Sequence, residues 1–317
     1  MKKFLAVLLV AMMLVMMVAT SAMAAGDGYR FVIVPKCVHP WFDEVEKGAI
    51  KEAEALSAVL GVPVEIDYRA PTVADVTEQN SVLQQAAATR PDGIAMDPND
   101  YEGSKAVIEE IQAMGIPVVL FDAPSPEGSG LTSSGNDFIE QGEIAAKYLV
   151  ELLGGKGKVA VMMGVPTAPN HTERYEAQVA ILSQYPEIEI IDGGIDNDDI
   201  QTAQAQAAAV IAANPDLAGY LCCDASGPIG IANAIREAGK QDQIMAVGMD
   251  NLIEILEAVQ DGSLKGSSST LPQEQGMFAV LSMFQLSMGL PAPAFLDTGI
   301  GWYVPGPELD ALIAESK

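Results

Sequence analysis

The stretch YRFVIVPKCVHPWFDEVEKGA, residues 29–49, indicates the fold of the protein. It begins with an apolar run typical of a buried strand and continues with Val45 and Ala49 at helical spacing. A strand that passes directly into a helix is the repeating unit of a parallel sheet covered by helices. A Lys, a His, a Trp and a Phe stand between the two, at the strand end where such sheets bind small molecules.

The same strand–helix unit recurs along the chain. Apolar runs such as IPVVLFD (116–122), GKVAVMMG (157–164) and LAGYLCCD (217–224) alternate with segments of helical periodicity. The alternation restarts near residue 138 and gives two sets of similar size. The sequence therefore predicts an α/β protein with two doubly wound lobes, each built on a parallel sheet.

The first 24 residues are predicted to be an export signal. MKK is a basic start, a long apolar run follows it, and Ala22-Met23-Ala24 fits a cleavage site. The alternative is a membrane anchor, although the apolar run is shorter than the roughly 20 residues that a span needs. We expect signal cleavage and a periplasmic location.

The charge is strongly acidic. Without Lys2 and Lys3, 15 basic residues face 43 acidic ones, a formal net charge of −28. This charge repels nucleic acids and anionic membranes, so we expect neither as a partner.

Signals of catalysis, cofactors and metals are absent from the sequence. It contains no G-x-S-x-G or H-E-x-x-H, and no G-x-G-x-x-G follows the first strand. The three cysteines have no C-x-x-C spacing, so we expect no metal site. Two alternatives remain for the cysteines: a disulfide from Cys37 to Cys222 or Cys223, or three buried thiols. We predict a protein without enzymatic activity or cofactor.

Four predicted strands end on aspartate: Asp97, Asp122, Asp224 and Asp250. One such residue is ordinary, because Asp starts turns and caps helices. Four at equivalent positions indicate a binding site, since ionised carboxylates are acceptors that suit a ligand rich in hydroxyl groups. They repel phosphates and nucleotides.

The segment GVPTAPNHTERY, residues 164–175, supplies further polar side chains after a strand. Asn170 and Arg174 are four residues apart at a helix start and share one face. Arg carries five fixed donors, and Asn both donates and accepts. The alternative is a capping Asn and a surface Arg.

Eight segments, taken in order, resemble a known family. They are IVPKCVHPWFDEVEKGA, GIAMDPND, IPVVLFDAP, TSSGND, NHTER, CCDASGPIGIANAIREAG, AVGMDN and TLPQEQGMFAV. Together they cover almost the whole mature chain. The sequence resembles the periplasmic sugar-binding proteins of ABC importers, the type I group that includes ribose-, allose-, rhamnose- and autoinducer-2-binding proteins.

The resemblance implies a hinge at which the chain crosses three times between the lobes. We place the crossings near residues 133–136, 268–271 and 296–299. The expected N-terminal lobe is 25–134 plus 271–296, and the C-terminal lobe is 135–270 plus 297–317.

The resemblance also assigns roles to individual residues. Trp41 and Phe42 match the aromatic pair that flanks a sugar ring, unless Trp41 is a core residue of the first helix. Lys36 resembles a ligand-facing lysine, and Asn136 matches a polar residue at the first crossing. His39 is included as a ligand contact, and the alternative is that it is only a loop residue. The predicted ligand-binding set is Lys36, His39, Trp41, Phe42, Asp97, Asp122, Asn136, Asn170, His171, Arg174, Asp224 and Asp250.

Three positions depart from the ribose-binding pattern. His39 stands where that group has Asn, Ala123 where Arg is common, and Cys223 where Asn is found. Ribose itself is therefore not expected, and VPK (34–36) with DASGP (224–228) favours the rhamnose and autoinducer-2 branch.

We predict a monomeric, exported protein that captures a neutral monosaccharide or related polyol between its lobes and delivers it to an ABC permease. The alternative is a binding protein for an autoinducer-2-like or other polyhydroxylated signal that serves a chemoreceptor or sensor. An enzyme on the same fold is the third possibility.

Overall fold

A computed structural model describes residues 28–315, in which strands and helices alternate as expected. The strands are β1 (Tyr29–Val34), β2 (Val64–Tyr68), β3 (Gly93–Met96), β4 (Val118–Phe121), β5 (Thr132–Gly135), β6 (Lys156–Met163), β7 (Glu187–Ile195), β8 (Leu217–Leu221), β9 (Met245–Met249), β10 (Gly266–Ser269), β11 (Phe295–Asp297) and β12 (Gly301–Tyr303). The helices are α1 (Pro40–Leu60), α2 (Val76–Ala88), α3 (Tyr101–Ala113), α4 (Phe138–Leu153), α5 (Pro169–Leu182), α6 (Ile200–Ala213), α7 (Ser226–Ala238), α8 (Ile253–Gln260), α9 (Pro272–Ser287) and α10 (Pro307–Glu315).

The strands form two six-stranded sheets with the same topology. The first has the order β11-β5-β4-β3-β1-β2, and the second has the order β12-β10-β9-β8-β6-β7. All pairings are parallel except that of β12 with β10, which is antiparallel. The two doubly wound lobes predicted from the sequence are confirmed.

The chain passes between the sheets three times. Strand β5 lies in the first sheet and is followed by β6 to β10 in the second, while β11 returns to the first sheet and β12 to the second. Helix α9, between β10 and β11, packs on α1, β3 and β4 of the first lobe. These connections form the three-crossing hinge.

Two strands at the hinge are polar yet buried. Both β5 (TSSG) and β10 (GSSS) are shielded from solvent. Their hydroxyl groups donate to backbone oxygens: Ser134 Oγ to Gln275 (3.0 Å) and Ser268 Oγ to Gln141 (3.2 Å). Because these hydroxyls are satisfied internally, polar strands are stable in the middle of the protein.

Helices α1 and α9 cross at a pair of glycines. A Cβ on Gly48 would clash with the backbone oxygen of Gln273, and one on Gly276 would clash with that of Val45. The absence of both side chains lets the two backbones touch. This close contact fixes α1, whose first turn carries the aromatic residues singled out in the sequence.

All three cysteines are free and buried. The Sγ atom of Cys223 accepts the Gly164 N–H at 3.2 Å, and Cys222 is part of the hydrophobic core. The possibility of a bridge from Cys37 is therefore wrong, and the alternative of three buried thiols is correct. Burial raises the pKa of each thiol above its ordinary value.

The predicted export signal lies outside the described residues. Within residues 28–315, none of the helices combines the length and the apolar character that crossing a bilayer demands.

Candidate functional site

A cavity lies where the carboxyl ends of the two sheets face each other. Its walls come from both lobes: Lys36, His39, Trp41, Phe42, Asp122, His171, Arg174, Asp198, Asp224, Ala225 and Asp250. Nine of the twelve residues predicted from the sequence are in this set.

Helix α1 carries the aromatic wall. His39 is the N-cap, with an extended backbone (φ −155°), and its Nδ1 accepts the Trp41 N–H at 3.1 Å. Pro40 occupies the first helical position, where its missing N–H has no consequence. The rings of Trp41 and Phe42 meet edge to face, 5.1 Å apart, and both line the cavity.

The other nitrogen of His39 joins the two lobes. Its Nε2 lies 3.0 Å from the hydroxyl of Ser226, the first residue of α7. Because Nδ1 already accepts an N–H, the proton resides on Nε2 and is donated to Ser226. Burial lowers the pKa of His39, which keeps the ring neutral.

Lys36 is buried beside Asp97. Its Nζ lies 2.8 Å from Asp97 Oδ2 and 4.0 Å from Asp122 Oδ2, and it stands 5.6 Å from the centre of the Phe42 ring. Burial alone would lower the pKa of Lys36, but the carboxylates, with Asp97 foremost, raise it above its ordinary value. Asp97 does not line the cavity and serves as the counter-ion of Lys36.

Asp122 accepts hydrogen bonds from side chains on different helices. Its Oδ1 accepts from Arg174 (3.2 Å) and from Gln275 (3.4 Å), and its Oδ2 accepts from Asn170 (2.6 Å). Asn170 therefore lies behind the wall of the cavity and orients a carboxylate that lines it. The predicted grouping of Asn170 and Arg174 on one helical face is confirmed by their shared partner.

Arg174 is almost completely buried, so the alternative of a surface arginine is wrong. Its Nε donates to Gln141 Oε1 (2.8 Å), and its guanidinium stacks on Phe138 at 4.8 Å. Asn136 donates to the same Gln141 oxygen (3.0 Å). Asn136 does not line the cavity, and its contact is with the residue that positions Arg174.

Asp250 is linked to the aromatic wall through Thr270. The Thr270 hydroxyl donates to Asp250 Oδ1 at 2.5 Å and accepts from Trp41 Nε1 at 3.1 Å. This relay satisfies the indole N–H and holds Trp41 against the hinge. Burial raises the pKa of Asp250, and the charge of Arg174 acts in the opposite direction.

Asp224 has two roles. It caps α7 by accepting the N–H groups of Ser226 (3.3 Å) and Gly227 (3.1 Å), as the capping alternative predicted, and it also lines the cavity. Burial, followed by the charge of Asp198, raises its pKa to about 7. The pKa of its other neighbour, Asp196, is also raised by burial and by Asp224.

His171 faces the cavity from α5. Its Nδ1 accepts the Val165 N–H at 2.9 Å, and its Nε2 lies 3.8 Å from Asp198 Oδ1. Burial lowers its pKa well below the ordinary value, so the ring is neutral with its proton on Nε2.

Sequence reasoning missed two wall residues, Asp198 and Ala225. Asp198 follows β7, so it belongs to the same class of strand-end aspartates as Asp122 and Asp250. The run DNDD (196–199), directly after a predicted strand, was the available signal. In the structure Asp199 caps α6, and Asp198 turns back into the cavity.

The residues of the site are suited to binding a ligand through hydrogen bonds. Within residues 28–315, no group of three or more His, Cys, Asp or Glu is arranged to hold a metal ion. Lys36 and Arg174 are neutralised by Asp97 and Asp122, respectively. Because a carboxylate accepts several hydrogen bonds, the wall residues Asp122, Asp198, Asp224 and Asp250 can still accept from a ligand, beside two aromatic rings that suit the C–H face of a ring-shaped ligand.

The profile of the periplasmic binding protein domain family matches residues 30–291. The ribose import binding protein of Escherichia coli is 27% identical over 283 residues, which cover 86% of this chain and 89% of the relative. The D-apiose import binding protein of Actinobacillus succinogenes is 23% identical over 265 residues, 83% of each chain.

A solved structure shows the same architecture. The glucose-galactose binding protein of Geobacillus stearothermophilus superposes with a TM-score of 0.79 at 27% identity, covering 88% of this chain and 98% of that protein.

Proposed function

The chain belongs to the periplasmic binding protein family, and from this membership we propose that it is exported, captures a neutral monosaccharide or related polyol between its lobes, and delivers it to an ABC permease. It performs no chemical step on the ligand. The relatives named above are import and sugar-binding proteins, so the signal-binding alternative is not carried forward.

The observation that carries the proposal is the composition of the cavity wall. Acceptors from both lobes, Asp122 on one side and Asp250 on the other, face a space bounded by Trp41 and Phe42. A sugar offers hydroxyl donors to the carboxylates and C–H surface to the rings. A phosphate would meet an excess of negative charge, which is unfavourable in a buried site.

We propose the twelve residues of the sequence prediction as the working set for ligand binding, in two tiers. Nine line the cavity and are expected to touch the sugar, while Asp97, Asn136 and Asn170 position them. The strand order supports two lobes joined by three crossings, and we propose 25–134 plus 271–296 and 135–270 plus 297–317 as their bounds.

A thermal-shift panel tests the function. The panel contains D-ribose, D-allose, D-apiose, D-glucose and D-galactose, with ribose 5-phosphate and glucose 6-phosphate as the charged controls. A sugar at 100 times its dissociation constant should stabilise the protein by about 2.7 kcal/mol. The proposal would be contradicted if the melting temperature rose only with the sugar phosphates, or if none of the neutral sugars raised it.

A further inference from the structure

We propose that His171 and Asp198 together recognise one hydroxyl group of the ligand. This hydroxyl accepts a hydrogen bond from His171 Nε2–H and donates one to an Asp198 carboxylate oxygen, and we call the pair a two-point reader. The inference rests on the proposed function and deepens it. Asp198 becomes a specificity-determining residue of the second lobe.

The spacing of the pair leaves room for a bridging oxygen. His171 Nε2 and Asp198 Oδ1 are 3.8 Å apart, which is too long for a direct hydrogen bond. A hydroxyl oxygen that sits about 2.8 Å from each atom completes two hydrogen bonds of ordinary length. Both residues line the cavity, so a ligand can occupy this place.

Both side chains are buried and lack a full set of partners. Their side chains are only 3% and 7% exposed. Within residues 28–315, Asp198 Oδ2 accepts no hydrogen bond from an N–H or hydroxyl group, and the carboxyl of Asp224 is the hydrogen-bonding neighbour of Asp198. Because His171 Nδ1 is occupied by the Val165 N–H, Nε2 is the donor that remains for the cavity. A buried donor and acceptor without partners are unfavourable, and a ligand hydroxyl satisfies both.

The backbone holds Asp198 in this position. Asn197 and Asp198 both adopt left-handed conformations, with φ of 56° and 58°. The Asp198 N–H donates to Asp196 Oδ1 at 3.0 Å, which closes the turn. Burial acts to raise the pKa of Asp198, but the charge of Lys36 and a hydrogen bond with Asp224 act in the opposite direction, and the pKa is lowered, which favours the ionised acceptor.

The pair selects for a hydroxyl against its closest replacements. A hydrogen at this ligand position gives neither bond, and fluorine can only accept. A site built from one donor and one acceptor rejects both, because each leaves a buried polar group unpaired.

The test uses a deoxy scan of whichever sugar among D-ribose, D-allose, D-glucose and D-galactose binds tightest. Each hydroxyl is replaced in turn by hydrogen or fluorine, and affinities are measured by calorimetric titration. The variants are His171→Asn, which retains an acceptor for the Val165 N–H, and Asp198→Gly, which tolerates the left-handed backbone. The matched control is Asn197→Gly, an exposed neighbour in the same loop with the same φ sign.

In the wild type, one position should lose at least about tenfold in affinity with each replacement. In the His171→Asn/Asp198→Gly double variant the parent sugar should bind about 5- to 150-fold more weakly, and the loss on deoxygenation at that position should disappear. The Asn197→Gly control should retain both the affinity and the position-dependent loss.

Two results would overturn the inference. If a panel sugar binds but the double variant shows the same deoxy losses as the wild type, the reader is wrong while the proposed function stands. If none of the panel sugars binds the wild type, the proposed function and the reader fail together.

Discussion

Asp122 and Asp250 occupy equivalent places in the two sheets. Asp122 follows β4 and donates its N–H to Ser134 of β5 at 2.9 Å, and Asp250 follows β9 and donates its N–H to Ser268 of β10 at 2.8 Å. Both have left-handed backbones, with φ of 44° and 69°. Strand-end geometry thus turns one carboxylate from each lobe into the same cavity.

Asp250→Asn should weaken sugar binding with little loss of stability. Asn tolerates the left-handed backbone and its Oδ1 can still accept from Thr270, so the fold is retained. The ligand loses a charged acceptor, which corresponds to about 5- to 150-fold in dissociation constant. Calorimetric titration beside the exposed Asp242→Asn control measures this. Wild-type affinity in Asp250→Asn would remove Asp250 from the binding site.

Asp122→Asn should affect both affinity and stability. The substitution leaves Arg174 buried without its carboxylate, and breaking a buried pair in this way costs about 3–5 kcal/mol. Denaturant unfolding of Asp122→Asn and Asp250→Asn side by side checks the difference between them. Equal stability of the two variants would show that Arg174 does not depend on Asp122.

Lys36→Met should make stability depend on pH. In the wild type, burial raises the pKa of Asp97 and the charge of Lys36 opposes the rise. Without the ammonium group the pKa rises further, so folded Asp97 keeps its proton over a wider pH range while unfolded Asp, with a pKa of about 3.9, releases it. The unfolding free energy then falls as pH rises, by up to about 1.4 kcal/mol per pH unit. Unfolding measured between pH 5 and 8 tests this, and the Lys36→Met/Asp97→Asn double variant should lose the added dependence of the unfolding free energy on pH. If that dependence persisted in the double variant, a group other than Asp97 would be its source.

Asp224 should contribute a pH dependence of its own in the wild type. Its pKa is raised from 3.8 to about 7, so between these values the folded chain holds a proton that the unfolded chain has lost. Stability therefore falls as pH rises toward 7 and levels off above it. Asp224→Asn, which can still cap α7, should have a shallower slope than the wild type between pH 5 and 7. Identical slopes would mean that Asp196 alone carries the proton.

Two direct hydrogen bonds between the lobes should favour the closed form. Ser226 Oγ meets His39 Nε2 at 3.0 Å, and Thr167 Oγ1 donates to the Asn99 oxygen at 2.7 Å. Each is expected to contribute about 0.5–1.5 kcal/mol, so Ser226→Ala and Thr167→Val should each weaken sugar binding about 2- to 13-fold.

The control for these two variants is Ser287→Ala, which removes a hydroxyl bonded within α9. Small-angle scattering of the wild type should show a smaller radius of gyration with saturating sugar, as hinge closure requires. Unchanged affinity in both variants would show that the lobes close without these contacts.

The architecture was predictable because its signals are local. Hydrophobic periodicity identified the strands and helices, and a parallel sheet brings every strand end to one edge. Asp122, Asp224 and Asp250 were found in this way. The family resemblance supplied the hinge, which no local pattern indicates.

Two features of the site depend on contacts between distant segments. Asp97 matched the strand-end pattern as well as Asp122 did, but Lys36 occupies it, and only the folded structure reveals that pairing. Asp198 was missed because its approach to the cavity depends on two consecutive left-handed residues. Neither effect follows from the type of residue at one position.

The glycine contact between α1 and α9 limits how this protein can diverge. A side chain at Gly48 or Gly276 would separate the two helices and displace the first turn of α1, with its aromatic residues. Asp198 and Ala225 lie outside this contact, on loops that tolerate substitution. Ligand specificity can therefore change through substitutions in the cavity wall, whereas a substitution at either glycine would move the helix that carries the aromatic residues.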